Sequence, residues 1–272
     1  MTLIHSEKID PIRQTSFNGA AENYAQSRPG YAEEVFNELE KRAGLSPSSS
    51  VLEVGCGPGQ ATLPLARRGY GVIALDIGAN LVALCQERTK GYPKVRVLLS
   101  SFEAFQEAPG TFDVVLFASS FHWMDPKLKI QKTHQLLKNS GHLALLGNAQ
   151  PPCEGEFFTR LQDVYREKAP GLARKSTSSE MKTEWVAHVA ELEDPAWLEG
   201  HFHAPKVFRY PWTRTFTAEE YVRLLDTYSD HLILPESEKR PLYDGIRGLI
   251  EEFGGQIQKP YVSELILAQQ KS

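Results

Sequence analysis

Five short apolar runs punctuate the first 150 positions, at residues 51–54, 71–75, 95–99, 112–118 and 141–147. Runs of this length, without polar alternation, read as strands buried on both faces, the mark of a parallel sheet with helices on either side. The segments between them follow helical spacing. Residues 32–43 set Val35, Phe36 and Leu39 on one face and Glu33, Glu34, Glu38 and Lys41 on the other, and Gly44 ends the helix. Residues 61–68 and 80–88 supply further helices. Past residue 150 the strict alternation stops: 154–168 is amphipathic, 178–192 forms a helical segment around Trp185, and 195–205 is an aromatic loop. A strand at 207–215, helices at 218–228 and 236–253, and a strand at 256–268 complete the pattern. The prediction is an α/β fold with a core from 1–150 and 204–272, interrupted by a helical insertion at 151–203.

The first strand ends in a glycine turn. Val51, Leu52 and Val54 lead directly into Gly55, Gly57 and Gly59, three glycines in five positions, and the helix at 61–68 follows at once. Glycine lets the backbone turn sharply and lie close to a ligand, and the first N–H groups of the helix lack intrahelical partners. Such a turn is a nucleotide-type cradle, or else simply a tight strand-to-helix connection. The dinucleotide fingerprint needs its third glycine one position later, where Gln60 stands, and Pro58 removes an N–H that a pyrophosphate would use. Asp76 closes the second strand, 19 residues after Gly57. At the carboxyl end of a parallel strand its carboxylate can accept from both ribose hydroxyls, although an aspartate there can equally cap the helix at 80–88. Ile77 is placed to pack against an adenine face.

Glu53-x-Gly55-x-Gly57-x-Gly59 resembles the first motif of the class I S-adenosylmethionine-dependent methyltransferases. That resemblance implies S-adenosylmethionine as cofactor. It also implies a doubly wound, mostly parallel seven-stranded sheet whose last strand inserts antiparallel beside the sixth. Tyr24, Arg28, Pro29 and Tyr31 are similar to a Y-x-x-x-R-P-x-Y segment of many small-molecule members, where the tyrosine and arginine close over the methionine end of the cofactor. A guanidinium suits that carboxylate because its fork meets both oxygens. The same resemblance assigns Glu53, Ser101, Phe102 and Ala118 to the cofactor crevice. Where relatives usually carry an acid for the adenine amino group, this chain has Ser101, so the hydroxyl or Glu103 must substitute. His122 and Trp123 leave the fourth strand in the phrase FHW-x-D, which is similar to the group that includes trans-aconitate methyltransferase. The implied role is the wall between methyl donor and acceptor, with His122 as base or positioning group; a core histidine beside a packing tryptophan is the alternative. In this family the insertion after the fifth strand often forms a helical lid, making Phe157, Trp185, Trp197 and His201 candidate acceptor-pocket residues, or plain core.

Charge and cysteine usage narrow the partners. With 30 Lys and Arg against 34 Asp and Glu, the formal charge of −4 gives no footprint for nucleic acid or an anionic membrane. The basic cluster Lys127, Lys129, Lys132 and Lys138 reads as a solvated helix face. Three separated cysteines, Cys56, Cys85 and Cys153, suit a reducing compartment and form neither a disulfide framework nor a zinc site; no metal is expected. No stretch has the length of a membrane span or signal peptide, so a cytoplasmic protein, monomeric or weakly dimeric, is expected. The functional expectation is methyl transfer to a carboxylate or hydroxyl of a small molecule. A nicotinamide-dependent oxidoreductase and a non-catalytic S-adenosylmethionine binder are the alternatives.

Overall fold

The computed structural model describes residues 27–125, 128–151, 153–173, 198 and 200–271. Tyr24, Trp185, Trp197 and the expected helix at 178–192 lie outside them. The five apolar runs of the first 150 residues are β1 (Ser50–Val54), β2 (Gly71–Asp76), β3 (Val95–Leu99), β4 (Phe112–Ala118) and β5 (Leu137–Ala149). Two longer strands follow, β6 (Lys206–Thr217) and β7 (Gln256–Gln269). They form one sheet in the order β3-β2-β1-β4-β5-β7-β6. The first five are parallel, and β7 enters antiparallel between β5 and β6. The doubly wound architecture with an inverted final strand is therefore present.

Alternate residues of each strand face opposite helical layers, as a period of two requires. Val51, Val72, Val114 and Ala144 pack with α1 (Glu33–Ala43), α2 (Thr62–Arg67) and α3 (Ala79–Thr89). Leu52, Leu75, Val115 and Leu143 face the other way, toward Phe102, Phe105, Phe121 and α4 (Lys129–Leu136). A third apolar cluster covers the far edge. There α5 (Glu156–Lys168), α6 (Ala218–Leu225) and α8 (Glu236–Glu252) pack on the ends of β6 and β7, with the short α7 (Ser229–Leu232) beside them. Thr217 and Glu220 form a reciprocal capping box that starts α6 directly from the end of β6. Because α5 packs along α8, the first helix of the 151–203 insertion shares its core with the C-terminal helices. Among the described residues no helix is long and apolar enough to cross a membrane, and no cluster of three His, Cys, Asp or Glu could hold a metal ion.

Candidate active site

The carboxyl ends of β1, β2 and β4 lie side by side, where the cofactor crevice is expected. The N–H groups of Gly55 and Cys56 both donate to the Leu75 carbonyl, at 2.8 and 2.9 Å, so the glycine turn folds over the end of β2. Gly55 has φ +71°, and a Cβ added there would lie 2.5 Å from Cβ of Ser120. Only glycine fits, and the turn is pressed against the exit of β4. The Ser120 hydroxyl donates to the Val54 carbonyl and locks that contact. Gly57 donates its N–H to Asp76 Oδ2 and Gly78 donates to Oδ1, each at 2.8 Å.

Asp76 thus fixes the glycine turn before any ligand arrives. Burial pushes its carboxyl above the ordinary aspartate value, while the backbone N–H groups of Gly78, Gly57 and Ile77 oppose that shift. A carboxylate offers about four lone-pair sites; each Asp76 oxygen therefore keeps acceptor capacity for a ribose hydroxyl. Two aliphatic side chains flank it with unusual exposure, Ile77 at 41% and Leu99 at 59%. Leu99 pairs with Asp76 across β2 and β3. An acceptor pair between two aliphatic faces fits a nucleoside with an unphosphorylated ribose. Leu99 escaped the sequence reading because a strand-end leucine counts as core until its exposure is seen.

The remaining expected cofactor residues divide. Glu53 is fully buried beneath the turn, where it accepts the Thr62 hydroxyl at 2.6 Å, and burial drives its carboxyl well above the ordinary range. It ties β1 to α2 from below, and its other oxygen has no partner among the described residues. Ser101 sits half-buried after β3, its hydroxyl oxygen accepting the Ala104 N–H at 3.1 Å. Glu103, offered as its substitute, is exposed and accepts from the Asp125 N–H at 3.3 Å. Phe102 requires correction: it is 2% exposed and packs edge-to-face on Phe117 at 5.6 Å, so its ring belongs to the core rather than the crevice. Ala118 ends β4 half-buried beside the crevice. The next residue, Ser119, takes φ +57°, rare outside glycine and asparagine, and bonds to Tyr31 Oη at 3.1 Å. Tyr31 brings the N-terminal segment over the crevice; it is the final tyrosine of the Y-x-x-x-R-P-x-Y phrase. Arg28 is turned to other partners. Its guanidinium donates to the Thr227 carbonyl at 2.7 Å and stacks 4.6 Å above Tyr228, among the C-terminal helices.

His122 follows β4 on a single 3₁₀ turn, Phe121–Trp123. Its ring lies 4.8 Å from that of Trp123, and neither ring nitrogen has a partner among the described residues. Burial, reinforced by the nearby Lys129 ammonium, lowers its pKa to about 4. His122 is therefore a neutral imidazole at physiological pH, with one nitrogen able to donate and the other to accept. Lys129 overturns the reading of a solvated lysine face. It is 6% exposed, donates to the Phe121 carbonyl at 3.3 Å and lies 4.0 Å from the centre of that ring. Lys132 bonds to the carbonyls of Glu103 and Phe105, and Lys138 pairs with Asp113; Lys127 lies outside the described residues.

Two expected acceptor residues are displaced by the fold. Phe157 is buried between Phe158 and Phe253, at 5.1 and 5.4 Å, inside the helical cluster. The His201 ring lies 4.9 Å from that of His134, tilted by 60°, and its carbonyl accepts from the Lys271 N–H next to the start of β5. That is the amino edge of the sheet, opposite the crevice, so His201 cannot line a pocket shared with His122.

Residues 52–145 match the family model described as a methyltransferase domain. An uncharacterised methyltransferase-like protein of Schizosaccharomyces pombe is 25% identical over 240 residues, covering 88% of this chain and 86% of that one. A ubiquinone biosynthesis O-methyltransferase of Pseudomonas paraeruginosa is 32% identical over 112 residues, 40% of this chain and 48% of its own. Among solved structures, the YcgJ protein from Bacillus subtilis superposes with a TM-score of 0.51 at 16% identity, covering 89% of this chain and all of that one, a likeness of fold. The region matched runs from β1 into β5 and contains the glycine turn, Asp76 and His122.

Proposed function

We propose that this chain, an S-adenosylmethionine-dependent methyltransferase, delivers the methyl group to a carboxylate or hydroxyl oxygen of a small molecule, in the manner of the trans-aconitate-like group that FHW-x-D resembles. The observation that carries the proposal is His122: a neutral imidazole with both nitrogens unpartnered among the described residues, beside Trp123, at the exit of β4.

The cofactor supplies a methyl group already activated by its sulfonium. Asp76 would hold the ribose through its free lone pairs, the glycine turn would receive the adjoining backbone contacts, and Ile77 and Leu99 would sandwich the adenine. Tyr31 and Ser119 would close the crevice from the N-terminal side. What remains for the protein is to align the acceptor oxygen with the S–CH₃ bond and exclude water, an orientation effect of roughly 7 to 11 kcal/mol at best. With a pKa of about 4, His122 is a poor base for an alcohol proton. A carboxylate acceptor needs no deprotonation, and there His122 donates one N–H to orient it. The absence of net positive charge and the O-methyltransferase named among the relatives support an oxygen acceptor on a small molecule.

The test is a screen of carboxylic acids and alcohols with isotopically labelled donor, paired with His122→Ala. Turnover of an acid should fall at least tenfold in the variant while affinity for S-adenosylhomocysteine stays within twofold. Equal loss of both would move His122 into the cofactor pocket or the core.

A further inference from the structure

We infer that the edge formed by β6 and β7 carries a second recognition site, which holds a carboxylate of the acceptor distant from the atom that is methylated. The inference rests on the small-molecule acceptor proposed above and adds where that molecule is held.

Lys259 is the starting point. It is 6% exposed, yet among the described residues no carboxylate pairs with it, and the acceptor it reaches is Gln150 Oε1 at 3.0 Å. Its ammonium stands 5.8, 5.7 and 5.5 Å from the ring centres of Tyr221, Tyr228 and Tyr261. An ammonium carries three donors and no acceptor. Ring faces attract it, but they do not replace hydrogen bonds, and burying a cation without a counter-charge is costly. Two further polar atoms beside it are buried without a partner among the described residues, Trp212 Nε1 and Tyr261 Oη. Their rings stack at 5.0 Å.

The strand register explains why these groups meet. Tyr261 pairs with Trp212 and Lys259 with Arg214, two steps apart on one face of the sheet. Arg214, whose guanidinium bonds to the Ser27 carbonyl, and Arg28 over Tyr228 add positive charge to the same face. Each leftover atom is an N–H or O–H donor. Converging donors among cations and aromatic faces call for a ligand that brings oxygen acceptors and negative charge. The aromatic enclosure favours a carboxylate over the more strongly hydrated phosphate dianion.

The site is distinct from the methyl-transfer crevice. β7 lies two strands from β4, about 10 Å across the sheet. Along the strands, Ala149 pairs with Val262 and lies three residues past Leu146, the partner of Ala118, which adds about 10 Å. An acceptor reaching both places is elongated, with its anionic end several bonds from the reacting oxygen.

The experiment measures binding by calorimetry in the full chain, using octanoate, its neutral counterpart octanol, acetate and octyl phosphate. Octanoate should bind at least tenfold more tightly than octanol. Lys259→Met should weaken octanoate at least tenfold while affinity for S-adenosylhomocysteine stays within twofold. Trp212→Phe and Tyr261→Phe keep the rings, remove one donor each, and should each weaken octanoate several-fold; they carry the test if the lysine variant does not fold. Octanoate affinity equal in wild type and variants, or no binding of octanoate, acetate or octyl phosphate to the wild type, overturns the inference. Tighter binding of octyl phosphate with the same dependence on Lys259 overturns the choice of carboxylate. If octanoate binds through Lys259 but S-adenosylhomocysteine does not bind at all, the methyl-transfer reading fails and the anion site stands.

Discussion

Gly55→Ala asks whether the glycine turn must lie as close to β4 as it does. The new Cβ would sit 2.5 Å from Cβ of Ser120, well inside van der Waals contact, at a backbone φ of +71°. A left-handed alanine costs about 1 to 2 kcal/mol. Forcing two packed carbons apart adds about 1 to 3 kcal/mol, so an overall loss of about 3 kcal/mol in stability is expected. Displacement of the turn would also strain the bond from Gly57 N–H to Asp76, and affinity for S-adenosylhomocysteine should fall at least tenfold. The two contributions separate in a double-mutant cycle with Ser120→Gly, which opens the space but forgoes the hydroxyl bond to Val54. The double variant should recover the overpacking part and retain the backbone part. Urea unfolding and calorimetry read both. Strict additivity of the two substitutions, or a Gly55→Ala protein with wild-type affinity, would refute the close approach as the reason for glycine.

Three other outcomes are expected. Asp76→Ala should weaken S-adenosylhomocysteine binding by about 1.5 to 3 kcal/mol, the range for hydrogen bonds to a charged group; calorimetry showing unchanged affinity would remove Asp76 from the ribose site. Because the folded pKa of His122 is about 4 against an ordinary 6.5, the unfolded chain binds a proton between those values that the folded chain does not. Stability at this site is thus complete above about pH 6.5 and declines as pH falls toward 4, by up to about 3 kcal/mol; His122→Asn should flatten that part of the stability profile, and an unchanged slope would contradict the burial argument. Lys129→Met should raise the His122 pKa, measured by NMR titration of the ring protons, but leave it below 6.5, since burial is the larger cause.

The sheet was legible because each strand announces itself locally. A run such as Phe112 to Ala118 contains no polar residue except Asp113 at its start, where the structure finds it accepting from Ser50 and Lys138. The glycine turn was legible for the same reason, since left-handed backbone and close approach demand particular residues. What depends on which layer a side chain enters was not. Phe102 and Phe157 carry the same aromatic signal in the core as they would in a pocket, and Lys129 carries the same charge buried over Phe121 as it would in solvent. His201 was misplaced because sequence distance does not say which edge of the sheet a loop reaches. The Lys259 and Tyr261 pair had a faint signal, a cation and an aromatic two apart on a strand, but its meaning depends on Trp212, nearly fifty residues earlier.

The order of the strands has a consequence for how the chain assembles. Among the described residues β6 pairs with β7 alone, and β7 lies between β6 and the five parallel strands. During synthesis, β6 therefore emerges before the neighbour it needs and must wait, with its apolar positions uncovered, until some forty further residues have been made. A chain halted before residue 256 would hold the complete glycine turn, Asp76 and His122, yet leave two raw strand edges open to other molecules. Shielding of nascent β6 by a chaperone is where the yield of folded protein would be decided.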